Sequence, residues 1–361
     1  MEVIEVRPRT GRLVGPDVVR AVAMAGVVIM NFHGYLILRG GQREGGWADD
    51  LFDPWVGPLA TRFAATFVLT AGVGVTLLTR SAAGNSARTN ELRWILARRG
   101  LILYGFGMVF DFIWPGTILP YYGALFVLAA ALFTLRTRWL ITVAVLATSA
   151  AWLVRWWRYE RELDGRDMSW LTNPGPRSPT GLLIDVTING THPLLPWLAF
   201  FCAGIALGRI LVREWWQPVA IATGFALFSG ATLISSAARS GRALVLLSDD
   251  PFERGFIYTM SALGTALLAF TAVWWLAERY RETTAVDWLR RAGQMSLSIY
   301  ILHALVFCLF VDWLDLVSPG GLGTSLTFAL VYWLISTAVA VAYHERFGRG
   351  PAEYVYRKLA S

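Results

Sequence analysis

The sequence predicts an all-α integral membrane protein, a polytopic bundle of about ten transmembrane helices with both termini on the cytoplasmic side. Three observations predict this class. Of the 361 residues, 55% are hydrophobic and only 16% are charged. The apolar residues form runs of about 20, the length that a bilayer-spanning helix needs. Alternate connecting segments carry about twice as many basic residues as the others, which by the positive-inside rule places both ends in the cytoplasm.

The ten predicted spans follow one another along the whole chain. They cover about residues 17–38, 57–79, 94–114, 117–135, 139–157, 193–212, 217–237, 256–277, 294–317 and 324–345. The main segments outside them are a cytoplasmic N-terminal segment, 1–16, a long extracytoplasmic loop, 158–192, and a cytoplasmic tail, 346–361. The turn 114–116 separates the predicted spans 94–114 and 117–135. The sequence also fits a single bent element in place of these two spans. We predict a single membrane domain over 1–361, located in a bacterial-type cytoplasmic (plasma) membrane.

The long loop and the composition add three expectations. In the loop, the breaker NPGPRSP is followed by GLLIDVTI, which fits a short strand or a re-entrant piece. The net charge of +7 comes from basic residues between apolar segments, so we expect no nucleic-acid partner. Cys202 and Cys308 lie in apolar segments without a Cys or His partner at ligand spacing, so we expect them to pack in the core and expect no metal.

The first span carries four polar side chains at membrane depth, Asp17, Arg20, Asn31 and His33. Ionisable groups there are costly and are therefore usually functional. Helical geometry places Asp17 and Arg20 on one face, and it also aligns Arg20 with Asn31, eleven residues later. His33 points roughly the other way on an ideal helix. The alternative is a signal-anchor helix whose polar residues bond to neighbouring helices.

Further candidates lie at the predicted outer ends of other spans. His192 precedes Pro193, which suits the first turn of a helix, so the imidazole would lie beside free backbone N–H groups and could act as a general base or oxyanion donor. The alternative is a loop histidine that caps a helix. Asp111 could orient a histidine, or it could pair with Arg62. His303 falls near the middle of its span.

Aromatic and basic residues complete the set of candidates. Tyr121 and Tyr122 could donate hydrogen bonds to a substrate or belong to the interfacial aromatic belt. Arg98 and Arg99 belong to a basic cluster beside the third span, and Arg290 and Arg291 precede the ninth span. Guanidinium groups at these places suit phosphate recognition. The positive-inside rule alone would also explain these arginines.

Six stretches, in this order along the chain, resemble the membrane acyltransferase superfamily that includes heparan-α-glucosaminide N-acetyltransferase and the bacterial YeiB-type proteins. They are DVVRAVAMAGVVIMNFHGY, FVLTAGVGVTLL, RRGLILYGFGMVFDFIWPGTILPYYGALFVLAA, THPLLPWLAFFCAGIALGR, GQMSLSIYILHALVF and GRGPAEYVYRKL. The resemblance implies transfer of an acyl group, often acetyl, from cytoplasmic acyl-CoA to an acceptor on the far side. Asn31 matches the family's asparagine, whereas Gln42 stands at the position of the glucosaminide enzyme's catalytic histidine, and the nearby histidine is His33.

We therefore expect an acyl-CoA-dependent transmembrane O- or N-acetyltransferase in a lipid bilayer, with acetyl-CoA as donor and a cell-envelope sugar, glycolipid or small metabolite as acceptor. A homodimer is compatible with the sequence. The predicted catalytic residues are His33 as general base, Asn31 for the thioester carbonyl or its oxyanion, His192 as second candidate, and Asp111. The predicted donor-binding residues are Arg20, Arg98, Arg99 and His303, and the predicted substrate-binding residues are Tyr121, Tyr122 and Trp197. The alternative function is a transporter or flippase for an anionic or lipid-linked substrate.

Overall fold

A computed structural model describes residues 13–82, 84–173, 178–238 and 241–360, and these residues form helices and connecting turns without a strand. The helices are α1 (Gly15–Leu38), α2 (Trp47–Leu51), α3 (Arg62–Thr79), α4 (Ser86–Phe110), α5 (Leu119–Leu132), α6 (Thr137–Leu163), α7 (Ser169–Thr172), α8 (Pro179–Ile184), α9 (Leu194–Ile210), α10 (Trp216–Ala237), α11 (Gly241–Leu246), α12 (Phe256–Arg279), α13 (Thr284–Gln294), α14 (Ser296–Phe307), α15 (Leu322–Phe347) and α16 (Pro351–Ala360). Wider π turns, Asp185–Asn189 and Cys308–Trp313, continue α8 and α14.

Seven helices in the described part of the chain are long and apolar enough to cross a membrane, so the protein is a multi-pass membrane protein. They are α1, α3, α6, α10, α12, α14 with its π turn, and α15. The pair α8–α9, bent by 54°, would make an eighth span if it crosses as one unit. The predicted count of ten is therefore not confirmed.

The two remaining predicted spans form helices that do not qualify as spans, for different reasons. Helix α5 has 14 residues, which at 1.5 Å each is about 21 Å, less than the roughly 30 Å hydrocarbon core. Helix α4 has 25 residues, but arginines interrupt its apolar character. The turn 111–118 connects them, and they pack closely at Gly100 and Gly123, where an added Cβ on Gly100 would lie 2.5 Å from the Gly123 carbonyl oxygen.

Close helix crossings at glycines hold the bundle together. A Cβ added to Gly204 in α9 would lie 2.0 Å from the Leu69 carbonyl oxygen in α3, and one on Gly72 would lie 2.2 Å from the Phe201 carbonyl oxygen. Helices α10 and α12 approach each other in the same way at Gly224. In a bilayer, such small residues allow the backbone contact that drives helix association.

Helix α1 lies at the centre of the bundle, where it contacts α3, α12, α13, α14 and α15. In its first turn, Asp17 accepts hydrogen bonds from Arg20 (3.2 Å) and from the Gln294 side chain of α13 (2.9 Å). Gly293 lies directly against the Asp17 backbone, since an added Cβ would lie 1.7 Å from that carbonyl oxygen. These contacts fix α13 across the start of α1.

The segments predicted to be loops or tails contain more helix than expected. Helix α6 extends to Leu163, and GLLIDVTI forms α8 and its π turn, not a strand. The 54° bend between α8 and α9 is compatible with the re-entrant alternative. Most of the tail forms α16, and residues 278–293, predicted as a loop, contain most of α13. Residues 1–12, most of the predicted N-terminal segment, and part of NPGPRSP lie outside the described residues.

Candidate active site

Within the described residues, a large cavity of about 1220 Å³ runs along α1 from one end of the bundle to the other. At one end, which we call the arginine end, it is lined by Arg20, Arg99 and further basic residues. At the other, which we call the histidine end, it is lined by His192 and the adjacent Thr191. Asn31 lines the wall between the two ends. The cavity is larger than the roughly 300–1,000 Å³ of ordinary ligand pockets.

At the arginine end, Arg20 is held by Asp17 and its guanidinium faces the cavity from the first turns of α1. Arg99 also lines the cavity, and its Nε is buried with no hydrogen-bond partner among the described residues. The adjacent Arg98 does not line the cavity. Arg290, one of the arginines that the sequence offers for phosphate recognition, also lines the cavity. The remaining lining arginines, Arg80, Arg349 and Arg357, were not predicted.

The C-terminal helix α16 closes part of the arginine end. Glu353 accepts hydrogen bonds from the backbone N–H groups of Leu297 (2.7 Å) and Ser298 (3.1 Å) and from the Ser298 hydroxyl. It thereby places a carboxylate at the N-terminus of α14, where the helix dipole favours negative charge. The Tyr356 hydroxyl donates to the Arg99 carbonyl oxygen at 3.2 Å. The tail is thus tied to both α14 and α4.

Midway along the cavity, Asn31 is hydrogen-bonded to His303, with 3.0 Å between Asn31 Nδ2 and His303 Nε2. His303 is wholly buried behind Asn31, and its Nδ1 is bonded to the Tyr300 carbonyl oxygen. Because a carbonyl oxygen only accepts, Nδ1 carries the proton and the lone pair on Nε2 accepts from Asn31. The second N–H of the Asn31 amide remains for a group in the cavity. His303 therefore orients Asn31 and does not itself line the cavity.

His33 lies on a different side of α1. Its Nδ1 is 3.1 Å from the Ser325 hydroxyl of α15, its ring is fully buried, and it does not line the cavity. The two-residue spacing from Asn31 accounts for this, because it turns the side chain by about 200° around the helix. The structure therefore separates His33 from the cavity that contains Asn31.

At the histidine end, the ring of His192 lies against Trp197, with centroids 4.5 Å apart, and 6.0 Å from the ring of Tyr121. His192 lines the cavity, and its Nδ1 is buried without a hydrogen-bond partner among the described residues. Trp197 is fully buried behind it and does not line the cavity. The histidine is therefore positioned by an aromatic wall.

The backbone just before His192 is fixed by Tyr121. The Tyr121 hydroxyl donates to Asp185 Oδ2 at 2.9 Å and accepts from the Thr191 backbone N–H at 3.1 Å. Gly190 leaves room for this hydroxyl, since an added Cβ would lie 2.1 Å from it. Sequence reasoning missed Asp185, although the tyrosine it supports was a candidate. Tyr121 itself does not line the cavity. It supports the site through its hydrogen bond to the Thr191 backbone.

Of two other predicted site residues, Tyr122 lies at the cavity and Asp111 does not. Tyr122 lines the cavity, and its hydroxyl is buried without a hydrogen-bond partner in the described part of the chain. Asp111 accepts a hydrogen bond from the Gly116 N–H at 2.8 Å, which stabilises the left-handed turn at Gly116 (φ 80°). Among the described residues Asp111 bonds to neither a histidine nor Arg62, which instead donates to the Ser261 hydroxyl at 3.0 Å.

No group of three or more His, Cys, Asp or Glu residues suited to a metal ion occurs among the described residues. A family profile described as heparan-alpha-glucosaminide N-acetyltransferase, catalytic, matches residues 12–242, which is more than half of the chain. The chain belongs to this family. A second profile, described as a protein of unknown function (DUF418), matches residues 211–361. A comparison with curated proteins finds no match.

Together the two profiles confirm the resemblance to the transmembrane acyltransferase superfamily, and both matched segments contribute to the cavity. The acetyltransferase segment supplies Arg20, Asn31, Arg99 and His192. The second segment supplies the basic residues Arg290, Arg349 and Arg357 of the arginine end. The site of this membrane acetyltransferase family member is thus built from both segments.

Proposed function

We propose that the protein transfers an acyl group, acetyl in the first instance, from cytoplasmic acyl-CoA to a hydroxyl or amine of an acceptor on the opposite side of the membrane. The observation that carries this proposal is the single cavity, which has arginines at one end, a histidine at the other and an oriented amide between them. This is the arrangement that a reaction between an anionic donor on one side and an acceptor on the other requires.

The arginine end would hold the phosphates of coenzyme A. Guanidinium groups bind phosphate through paired, charge-assisted hydrogen bonds, and the unpartnered Nε of Arg99 is available for one. The positive-inside bias supports a cytoplasmic position for this end. The eleven residues from Arg20 to Asn31 correspond to about 16 Å of helix axis, a distance that a phosphopantetheine arm can cover. The thioester would then lie beside Asn31.

In the transfer step, the acceptor oxygen or nitrogen forms a bond to the thioester carbonyl carbon while the carbon–sulfur bond breaks. We assign the general base to His192, because it lines the cavity and His33 does not. His192 takes the acceptor proton and returns it to the departing coenzyme A thiolate. The free N–H of Asn31 donates to the carbonyl oxygen as negative charge develops on it. Tyr122 lines the same cavity and is a second donor.

The acceptor would enter at the histidine end. The name of the matched family points to an amino sugar, a terminal α-glucosaminide, as the first acceptor to test. Trp55 and Phe252 line the cavity there, and aromatic faces of this kind suit the apolar face of a sugar ring. A cell-envelope sugar or glycolipid fits this description.

The first experiment measures the thermal unfolding of the detergent-purified protein with CoA, acetyl-CoA and 3′-dephospho-CoA. Saturation to a hundred times the dissociation constant stabilises a protein by roughly 2.7 kcal/mol. We expect a clear shift with CoA that Arg99→Ala reduces. Arg98→Ala is the matched control, because Arg98 is adjacent in the chain but does not line the cavity. No shift with any of the three compounds would refute the donor assignment.

The second experiment separates transfer from transport. Free CoA is measured with a thiol reagent after the protein is mixed with acetyl-CoA and methyl α-D-glucosaminide. Release of CoA that His192→Gln abolishes and His33→Gln retains would support the mechanism. The opposite pattern would assign the role of general base to His33. CoA binding without any release, together with passage of an anionic solute into vesicles, would favour the transporter.

A further inference from the structure

The connection between α1 and α3 forms part of the wall at the histidine end of the cavity. Pro54, Trp55 and Thr61 of this connection line the cavity. Pro54 lies against α1 just beyond Asn31, since a Cβ added to Gly34 would lie 3.2 Å from the Pro54 Cβ. We call residues 53–61 the acceptor wall, because they border the part of the cavity that the acceptor is proposed to enter.

The acceptor wall and His192 border the same end of the cavity. Gly116, another lining residue, lies between two hydroxyls there, since an added Cβ would lie 3.1 Å from Thr191 Oγ1 and 3.8 Å from the Tyr35 hydroxyl oxygen. Thr191 directly precedes His192, and Tyr35 directly follows the glycine of α1 that meets the acceptor wall. A molecule that reaches the His192 imidazole therefore occupies the space beside the acceptor wall.

Asp53 fixes the backbone that carries Trp55. Its Oδ1 accepts hydrogen bonds from the backbone N–H groups of Trp55 at 2.8 Å and Val56 at 2.9 Å. Its Oδ2 forms an ion pair with Arg43 at 2.6 Å. Asp53 is 2% exposed and does not line the cavity. An aspartate that accepts from the N–H groups two and three residues later closes a tight local turn, so this side chain sets the direction of the chain at Trp55.

Thr61 fixes the other end of the acceptor wall. Its backbone is left-handed (φ 62°), a conformation that β-branched residues rarely adopt. Its hydroxyl oxygen lies 2.8 Å from that of Tyr258, which is fully buried in α12. Backbone conformations of this kind persist only where the surroundings enforce them, and they concentrate at ligand-binding sites. The acceptor wall is therefore held at both ends.

We propose that Trp55 selects the acceptor by stacking on the apolar face of its sugar ring, and that Asp53 is the positioning residue that holds Trp55 in place. The inference rests on the proposed function, in which a sugar acceptor enters at the histidine end. A pyranose ring has C–H groups on its faces and hydroxyls around its edge, and the acceptor wall offers an indole and the Thr61 hydroxyl to match them. An open-chain acceptor has no such face, so Trp55 should discriminate between the two kinds of acceptor.

The first test measures equilibrium binding of radiolabelled methyl α-D-glucosaminide to the full-length protein in detergent, with CoA present at saturation. CoA has no acyl group, so binding is observed without transfer. Trp55→Leu should weaken the dissociation constant of the glycoside by about tenfold, and Trp55→Phe should retain most of the binding. Trp47→Leu is the matched control and should bind as the original protein does, because Trp47 lies in the same connection but is 79% exposed and does not line the cavity.

A pair of substitutions at Asp53 tests its positioning role. Asp53→Asn keeps an oxygen for the two backbone N–H groups, whereas Asp53→Ala removes it. We expect Asp53→Ala to weaken glycoside binding as Trp55→Leu does, and Asp53→Asn to restore most of it. The CoA-induced shift in unfolding temperature should be the same in both variants. A general loss of structure would instead reduce glycoside binding and the CoA shift together.

The transfer assay tests selection directly, with serinol, an open-chain amino diol, as the second acceptor. Trp55→Leu should raise the KM for methyl α-D-glucosaminide by about tenfold and leave the KM values for serinol and acetyl-CoA unchanged. An equal rise for both acceptors would overturn the stacking role, as would equal glycoside binding by Trp55→Leu and Trp47→Leu, or no binding by the original protein. Equal binding by Asp53→Ala and the original protein would overturn the positioning role.

These outcomes are distinguishable from a failure of the proposed function. Trp55-dependent binding of the glycoside without any release of CoA from acetyl-CoA would refute the transfer reaction and leave the acceptor wall standing. Release of CoA with an acceptor KM that does not respond to Trp55→Leu would support the transfer reaction and overturn the role of Trp55.

Discussion

The hydrogen bond between Asn31 and His303 leads to a specific kinetic prediction for Asn31→Asp. His303 Nε2 presents a lone pair to the Asn31 amide at 3.0 Å, so only a donor is tolerated there. Aspartate has the same size but presents oxygens both to His303 and to the cavity, and the donor to the thioester oxyanion is lost. Loss of one such donor costs about 2.7–4 kcal/mol of transition-state stabilisation, or roughly 10²–10³ in kcat.

The same substitution should change the KM for acetyl-CoA little, because donor binding rests on the arginine end, about 16 Å away along the helix axis. The assay is release of free CoA from acetyl-CoA with methyl α-D-glucosaminide as acceptor. His33→Asn is the matched control, two residues away on α1 but bonded to Ser325 outside the cavity. A kcat for Asn31→Asp equal to that of the original protein, or a rise in KM alone, would refute the oxyanion role.

Three further variants test the packing and the support of the site. Gly204→Leu should lower stability by about 1–3 kcal/mol through overpacking against α3. In contrast, Gly105→Ala, where an added Cβ meets open space, should leave the unfolding temperature unchanged or slightly raised; equal losses in the two variants would contradict the close crossing. Tyr121→Phe removes two hydrogen bonds near His192, and at about 1 kcal/mol each kcat should fall by up to about thirtyfold, with CoA binding retained; loss of CoA binding would argue against a role limited to the histidine end. Glu353→Gln should make α16 more sensitive to proteolysis and weaken CoA binding, and an unchanged digestion pattern would count against that anchor.

The sequence predicts the long apolar helices well and the others poorly. The first predicted span, 17–38, corresponds to Gly15–Leu38, and 256–277 corresponds to Phe256–Arg279. Helices α13 and α16 were not predicted as helices, because their charged faces lower the average hydropathy over any window. In α13 the buried residues are Val286, Ala292 and Gly293, a short apolar stripe that becomes informative only when its partner α1 is known.

The candidate site was partly predictable from helical spacing. The eleven-residue interval between Arg20 and Asn31 predicts a shared face, and both side chains line the cavity. The choice between His33 and His192 could not be made in this way. His192 lies in the connection between α8 and α9, and the position of such a segment relative to α1 depends on the contacts of Tyr121 and Asp185, which no periodicity reveals.

The contact between Asn31 and His303 also joins the segments matched by two different family profiles. Asn31 belongs to the acetyltransferase match and His303 to the second match, and they are 272 residues apart in sequence. Without His303, the Asn31 amide would have no fixed orientation, and a hydrogen-bond donor contributes to catalysis only when it is already aimed at the developing charge. The second segment also supplies Arg349 and the Glu353 anchor to the arginine end. We therefore expect that neither segment alone can hold the donor and orient Asn31, and that the activity requires both.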